Sequence, residues 1–138
     1  MTRQEKYPET STFHFYNANP KGRITTDCVA RALSAAMKLD YNRVVMELAE
    51  ISCETGYDGQ DKKGIEIFLK GYGWIKHKQP RKLDNTKFTG KEFCKKFDKK
   101  KNYVAMIGGH HIVAIVDGKV NDIWDSTDGC IGNYWTEG

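Results

Sequence analysis

The chain has 138 residues, 22 lysines and arginines against 18 aspartates and glutamates, and a formal charge of +4. This length fits one domain, and we predict a single domain over 1–138 with a loose polar segment at 1–11. No apolar run approaches the about 20 residues that a membrane-spanning helix needs. Residues 1–13 lack the apolar centre of a signal peptide. The sequence therefore predicts a cytoplasmic protein without membrane association.

The first half of the chain is dominated by helical periodicity. Residues 25–38 are mostly apolar or small, which is typical of a helix buried inside a domain. Thr26 or Asp27 can cap its start, while Arg31, Ser34 and Lys38 form a narrow polar stripe. In chain order we predict a short strand or extended arm at 12–16, a turn-rich loop at 17–22, and helices at 25–38, 41–52 and 62–72, the second of them capped by Asp40.

Residues 76–101 are strongly basic. They contain eleven lysines and arginines but three acidic residues, a local charge of +8, whereas the remaining residues sum to −4. Thr89 and Glu92 have capping-box spacing, which predicts a short helix within this basic segment. The lysines can form a solvated surface, or they can contact an acidic protein or nucleic acid. Nucleic acid is less favoured because no aromatic pattern typical of RNA-binding domains accompanies the lysines.

After residue 102 the pattern changes to that of strands. β-Branched and aromatic residues are enriched there, and Asp117-Gly118 is a strong hairpin signal. Helices followed by antiparallel strands define the α+β class. We expect N-terminal helices, including a central helix that carries Cys28, packed on a C-terminal antiparallel sheet. The predicted strands lie at 103–107, 111–116, 119–124 and 131–135.

The four cysteines differ in their expected surroundings. None forms a Cys-x-x-Cys pair, which disfavours a zinc ribbon, and a domain of this length can build a core without disulfides. We expect reduced thiols, no metal and no cofactor. Cys28 starts a helix, where the helix dipole and free N–H groups stabilise a thiolate and a neighbouring oxyanion. The alternative for Cys28 is a small buried side chain, and we interpret Cys53, Cys94 and Cys130 as ordinary small side chains.

Two histidines open a predicted strand after a pair of glycines. His110 and His111 point to opposite faces of that strand, so one of them can face a cleft between helix and sheet. A hairpin that turns at 117–118 places Asp125 near these histidines, where its carboxylate can hold an imidazole tautomer. Asp125 can instead cap a turn. A metal site formed by His110, His111 and Asp125 is a further alternative, although its spacing is not distinctive.

The order of these residues resembles that of papain-like cysteine peptidases: a cysteine at a helix start, a histidine on a strand, and an aspartate on the next strand. More closely, YNANPK at 16–21 with DCVARA at 27–32, and HIVAIVDGK at 111–119 with DIWD at 122–125, resemble small papain-like proteins of phages and mobile elements. The resemblance covers residues 13–50 and 103–135. It implies that Cys28 is the nucleophile, His111 the general base and later acid, and Asp125 the orienting residue, with His110 as the alternative base.

The chain also departs from the family pattern. Papain-like enzymes supply a side-chain amide before the nucleophile to bind the oxyanion, but no glutamine precedes Cys28 at that distance. Asn19 is the nearest candidate and Asn17 the second. Asp27 is a further departure, since its charge opposes a thiolate at Cys28. Asp27 can instead cap the helix or pair with Arg31 one helical turn later.

Two functions follow as hypotheses. The first is a phage-encoded, papain-like thiol hydrolase or transferase that acts on an amide or thioester bond of a protein or peptide, including a host factor in the host cytoplasm. The second is a catalytically inactive phage-type binding or inhibitor protein that contacts a host protein or nucleic acid through its basic segment. Its predicted contact residues are Lys95, Lys96, Lys99 and Lys100.

Overall fold

The computed structural model describes residues 1–138 and contains five helices and six strands, which confirms the α+β class. The helices are α1 (Arg3–Lys6), α2 (Cys28–Met37), α3 (Tyr41–Thr55), α4 (Lys62–Gly71) and α5 (Gly90–Lys96). The strands are β1 (Phe13–Phe15), β2 (Ile75–His77), β3 (Tyr103–Ile107), β4 (His111–Val116), β5 (Lys119–Asp122) and β6 (Ile131–Thr136). None of the helices combines the length and the apolar composition that crossing a bilayer requires.

Side-chain caps set the starts of two helices where the sequence predicts them. The carboxylate of Asp40 accepts from Arg43 N at 3.1 Å and begins α3. At α5 the capping box is complete, because Thr89 Oγ1 accepts from Glu92 N and the Glu92 carboxylate accepts from Thr89 N. Both caps satisfy N–H groups that have no partner inside the helix.

All six strands form one sheet in the order β1-β5-β4-β3-β6-β2. As predicted, β3 pairs antiparallel with both β4 and β6, and β4 pairs antiparallel with β5. β1 pairs parallel with β5, so the sheet is mixed rather than antiparallel. β2 adds to the other edge by pairing with β6. The two edge strands have three residues each. Each of these short strands forms by pairing with an edge of β5 or β6 that is otherwise free. The local sequence does not reveal which edges are free.

Apolar residues cover both faces of the sheet. Val104, Ile112 and Ala114 pack with α2, α3 and α4 in one cluster, whereas their neighbours Ala105 and Val113 pack with Phe13 and α5 in another. The central strands are therefore buried on both faces, which explains why β3 and β4 are nearly continuous apolar runs. Residues 1–11 are exposed apart from the half-buried Tyr7, although α1 forms one turn and Arg3 Nε donates to Ile123 O at 2.7 Å.

Gly64 allows α4 to pack closely against the loop that precedes it. A Cβ added at Gly64 would lie 2.4 Å from both Asp58 O and Gly59 Cα, which are backbone atoms that cannot rotate away. We expect Gly64→Ala to lower the free energy of unfolding by about 1–3 kcal/mol, the usual cost of overpacking. Urea unfolding followed by circular dichroism measures this loss.

Gly71 in the same helix is the matched control. A Cβ at Gly71 would meet no atom within 4 Å, so Gly71→Ala should leave stability unchanged or raise it by up to about 1 kcal/mol through helix propensity. Equal stability of the two variants would contradict the close approach at Gly64.

Candidate active site

Cys28 is the first residue of α2, the helix that lies against β4. The first helical hydrogen bond is donated by Arg31 N to Asp27 O, so the N–H groups of 28–30 have no acceptor within the helix. Asp27 occupies the N-cap position, but its side chain does not cap the helix. The half-buried Cys28 thiol therefore lies beside free N–H groups at the positive end of a ten-residue helix.

His111, the first residue of β4, joins Cys28 to a buried carboxylate. Its Nε2 lies 2.6 Å from Asp122 Oδ2, and the Asp122 side chain is 2% exposed. The Cys28 thiol lies beside the His111 ring, close enough for each group to shift the pKa of the other. Because Nε2 is committed to Asp122, Nδ1 is the nitrogen that remains for the sulfur. The structure thus brings together the predicted nucleophile and the predicted base, with a carboxylate on the far side of the ring.

That carboxylate belongs to Asp122 and not to Asp125, so the predicted orienting residue is corrected. β5 ends at Asp122, and the chain leaves the ladder before it reaches Asp125. The Asp125 carboxylate instead accepts from Thr127 N at 2.9 Å and from the Thr127 hydroxyl. It caps a turn, which was the alternative role considered for this residue.

Arg31, a member of the predicted polar stripe, is 6% exposed and lies between two carboxylates. Its Nε donates to Asp27 Oδ1 at 2.7 Å, and its Nη1 donates to Asp122 Oδ1. Ile123 N adds a second bond to that Asp122 oxygen at 2.7 Å. The expected pairing of Asp27 with Arg31 is confirmed, and the charge of Asp27 is compensated rather than directed at Cys28.

The second oxygen of the Asp27 carboxylate also accepts hydrogen bonds. Tyr41 Oη donates to Asp27 Oδ2 at 2.6 Å, and Asn19 Nδ2 donates to the same oxygen at 3.1 Å. Burial and the Asp27 carboxylate raise the pKa of Tyr41 to about 12, so Tyr41 remains a donor. Burial alone would raise the pKa of Asp27, but the bonds from Tyr41, Arg31 and Asn19 outweigh it and hold that pKa below its usual value.

The environment of Cys28 and His111 favours their charged forms. Burial opposes ionisation of Cys28, but the hydrogen bond and charge of His111, the Ile112 N–H and the charge of Arg31 together lower the pKa of the thiol. Burial likewise opposes a charged imidazole, but Asp122 and Cys28 outweigh it and raise the pKa of His111 to about 9. Both shifts favour a thiolate next to an imidazolium, which is the reactive state of such a pair.

Both predicted oxyanion residues donate to groups other than Cys28. Asn19 Nδ2 is committed to Asp27, and Asn17 Nδ2 donates to Arg23 O at 3.0 Å. The donors that remain beside the sulfur are backbone N–H groups at the start of α2. An oxyanion that forms at Cys28 would therefore depend on the helix N-terminus rather than on a side-chain amide.

A groove of about 740 Å³ contains Cys28. Its walls combine apolar side chains such as Ile65 and Met106 with polar ones from the loop before α4. His110 is exposed on this groove and does not take the place of His111 beside Asp122. The turn before β4 contains Gly108 and Gly109 at φ values of 61° and 96°, a conformation that glycine adopts without strain.

The structure contains no group of three or more histidine, cysteine, aspartate or glutamate side chains placed to hold a metal ion. His110, His111 and Asp125 do not form the metal site considered as an alternative. Cys53 and Cys130 are exposed and Cys94 is buried, all as free thiols. Burial raises the pKa of Cys94 to about 11, which makes it unreactive at neutral pH.

The four lysines predicted as a contact surface are all exposed, but they lie in two places. Lys95 and Lys96 end α5, whereas Lys99 and Lys100 lie in the turn that follows.

Comparison of the chain with family models, with curated proteins and with solved structures finds no match. The function proposed below is therefore inferred from the residues of the site and their geometry.

The lowered pKa of Cys28 predicts selective alkylation. At pH 7 iodoacetamide should modify Cys28 faster than Cys53 or Cys130, although both of these are more exposed. His111→Gln removes the main group that stabilises the thiolate, and we expect it to slow alkylation of Cys28 by about tenfold. Peptide mass spectrometry over a time course gives the rate at each cysteine, and equal rates at Cys28 and Cys53 would refute the assignment.

The Asp122 contact predicts the titration of His111. In two-dimensional NMR spectra the His111 ring should titrate with a midpoint near pH 9. Asp122→Asn removes the carboxylate that favours the imidazolium and should lower this midpoint, because the proton is then held less tightly. Asp125→Asn is the matched control and should leave the midpoint unchanged. A larger effect of Asp125→Asn would restore Asp125 as the partner of His111.

Proposed function

We propose that this protein is a thiol hydrolase or transferase that acts on an amide or thioester bond of a protein or peptide substrate. The observation that carries this proposal is the contact between Cys28 at the start of α2 and the His111 ring, which Asp122 binds from its other side. The order of cysteine, histidine and aspartate along the chain supports a papain-like chemistry. The resemblance to small phage proteins supports a role in the cytoplasm of a host cell.

The reaction begins with the thiol proton held by His111. The Cys28 sulfur attacks the substrate carbonyl and forms a C–S bond, while the carbonyl oxygen takes up the electron pair as an oxyanion. N–H groups at the start of α2 donate to that oxyanion. When the intermediate collapses, the C–N or C–S bond of the substrate breaks and the His111 proton passes to the leaving nitrogen or sulfur. An acyl group remains on Cys28.

The second step decides between hydrolysis and transfer. Neutral His111 accepts a proton from water or from an acceptor amine or thiol, whose attack on the acyl group releases Cys28. Asp122 keeps the same ring orientation throughout, because the carboxylate is buried and bonded to both Arg31 and Ile123 N. The open groove around Cys28 leaves room for an extended peptide segment and for either acceptor.

Acyl transfer to Cys28 can be tested before the substrate is identified. We expect p-nitrophenyl acetate to give a burst of nitrophenolate and a transient acetyl group on Cys28, detected by intact-mass and peptide mass spectrometry. Cys28→Ala should abolish both signals. His111→Gln and Asp122→Asn should slow the burst by about tenfold or more, because the thiolate is then less populated.

The controls separate catalysis from nonspecific acylation. Cys53→Ser and Asp125→Asn should retain the burst, because neither residue contacts the His111 ring. An acetyl group that forms on Cys53 as fast as on Cys28, or a burst that survives Cys28→Ala, would refute the proposed function.

The second candidate function is a non-catalytic binding protein. It is favoured by the commitment of both Asn19 and Asn17 to other partners, since the site then lacks the side-chain oxyanion donor of papain-like enzymes. In that case Cys28→Ala would leave the biological activity intact, whereas substitutions on the basic surface would remove it. The same Cys28→Ala variant therefore discriminates between the two candidates.

A further inference from the structure

Leu83 is fully exposed, with 110% of the reference area for a leucine. It is held there by an ordered turn: Lys82 N donates to Thr86 O and Asn85 N donates to Lys82 O, both at 2.8 Å. Arg81 and Lys87 close the turn as a β-bridge. The turn thus presents a large apolar side chain to solvent in a fixed position.

Leu83 borders a groove of about 630 Å³ between this turn and α5, which we call the Leu83 groove. Phe88 contributes apolar surface to it and packs edge-to-face against Phe97 at 5.5 Å between ring centroids. The residues that line the groove are Arg81, Lys82, Leu83, Asp84, Phe88, Glu92, Lys95 and Lys96.

Some charged residues of the Leu83 groove bind other groups of the protein, whereas two of its lysines do not. Glu92 pairs with Lys82 and also accepts from Thr89 N, and Asp84 accepts from Thr86 N at 3.0 Å. The charge of Glu92 is therefore compensated by an ion pair, whereas Asp84 keeps its charge, and the four basic and two acidic residues of the lining sum to +2. Lys95 and Lys96 form no ion pair and are exposed. The groove thus offers free positive charge next to exposed apolar surface, and an acidic ligand complements it.

We propose that the Leu83 groove docks an acidic peptide segment that carries an apolar side chain. Its carboxylates pair with Lys95 and Lys96, and its apolar side chain packs on Leu83 and Phe88. Nucleic acid fits this surface less well, because single-stranded nucleic acid is bound by exposed aromatic rings on which bases stack. Phe88, the only aromatic residue lining the groove, is half-buried and packed against Phe97.

The structure separates this surface from the rest of the basic segment. Lys99 and Lys100 do not line the Leu83 groove, and the aliphatic part of Lys99 lies close to Gly118 in the β4–β5 turn. Of the four lysines predicted to contact a partner, two therefore belong to the docking site. The other two supply a control of equal charge.

Fluorescence anisotropy with the full chain tests this proposal. The probe is a fluorescein-labelled peptide of alternating aspartate and glutamate with one central leucine, and its comparison peptide has serine in place of leucine. We expect saturable binding of the leucine peptide, with affinity that falls as salt increases. Leu83→Ser and the double variant Lys95→Glu/Lys96→Glu should each weaken binding by about tenfold, the usual loss for a central interface residue.

The double variant Lys99→Glu/Lys100→Glu carries the same change in charge outside the groove and should retain affinity within about threefold, because separated exposed charges are screened. Cys28→Ala should bind as the unmodified chain does, so a failure of the catalytic proposal would not affect this result. The docking proposal is refuted if the leucine peptide does not bind, if the serine peptide binds equally well, or if the two double variants lose equal affinity. Tighter binding of an oligouridine than of the peptide would refute it in favour of nucleic acid.

Discussion

The guanidinium of Arg31 holds the candidate active site together. It is buried between Asp27 on its own helix and Asp122 at the end of β5, and so it connects α2, which carries Cys28, to the strand next to His111. Burying three charged groups is costly unless each finds partners. Here both carboxylates accept additional bonds, from Tyr41 and Asn19 on one side and from Ile123 N and His111 on the other. The network is satisfied only when the helix and the sheet are correctly docked.

This constraint explains two unusual features of the site. An acidic residue next to a nucleophilic cysteine would ordinarily oppose a thiolate, but Asp27 is neutralised by Arg31 and directed away from the helix start. The same network occupies Asn19, the side chain nearest in sequence to the amide that papain-like enzymes use. Because Asp27 does not cap α2, the first N–H groups of the helix remain free beside the sulfur. Side chains thus supply the ion pairs, and backbone N–H groups remain available for the proposed oxyanion.

The sheet places the two functional surfaces on separate packing units. Cys28 lies at the start of α2, which packs with α3 and α4 in one apolar cluster, whereas α5 packs in the other cluster through Phe93 and Cys94. The Leu83 groove includes the exposed side of α5. Substitutions at the groove therefore do not touch the Arg31 network, so the proposed docking and the proposed catalysis can be tested independently in the same chain.

Local signals in the sequence predict most of the elements and two members of the site. Helical periods, runs of strand-forming residues, the caps at Asp40 and Thr89, and the Asp117-Gly118 turn each predict local structure correctly. The helix-start position of Cys28 and the strand position of His111 follow from the same signals. The choice of Asp122 over Asp125 as the partner of His111 is instead a tertiary property, because it depends on where β5 leaves the sheet. The burial of Arg31 is tertiary as well, since its second carboxylate is 91 residues away in the chain and no local pattern records that pairing.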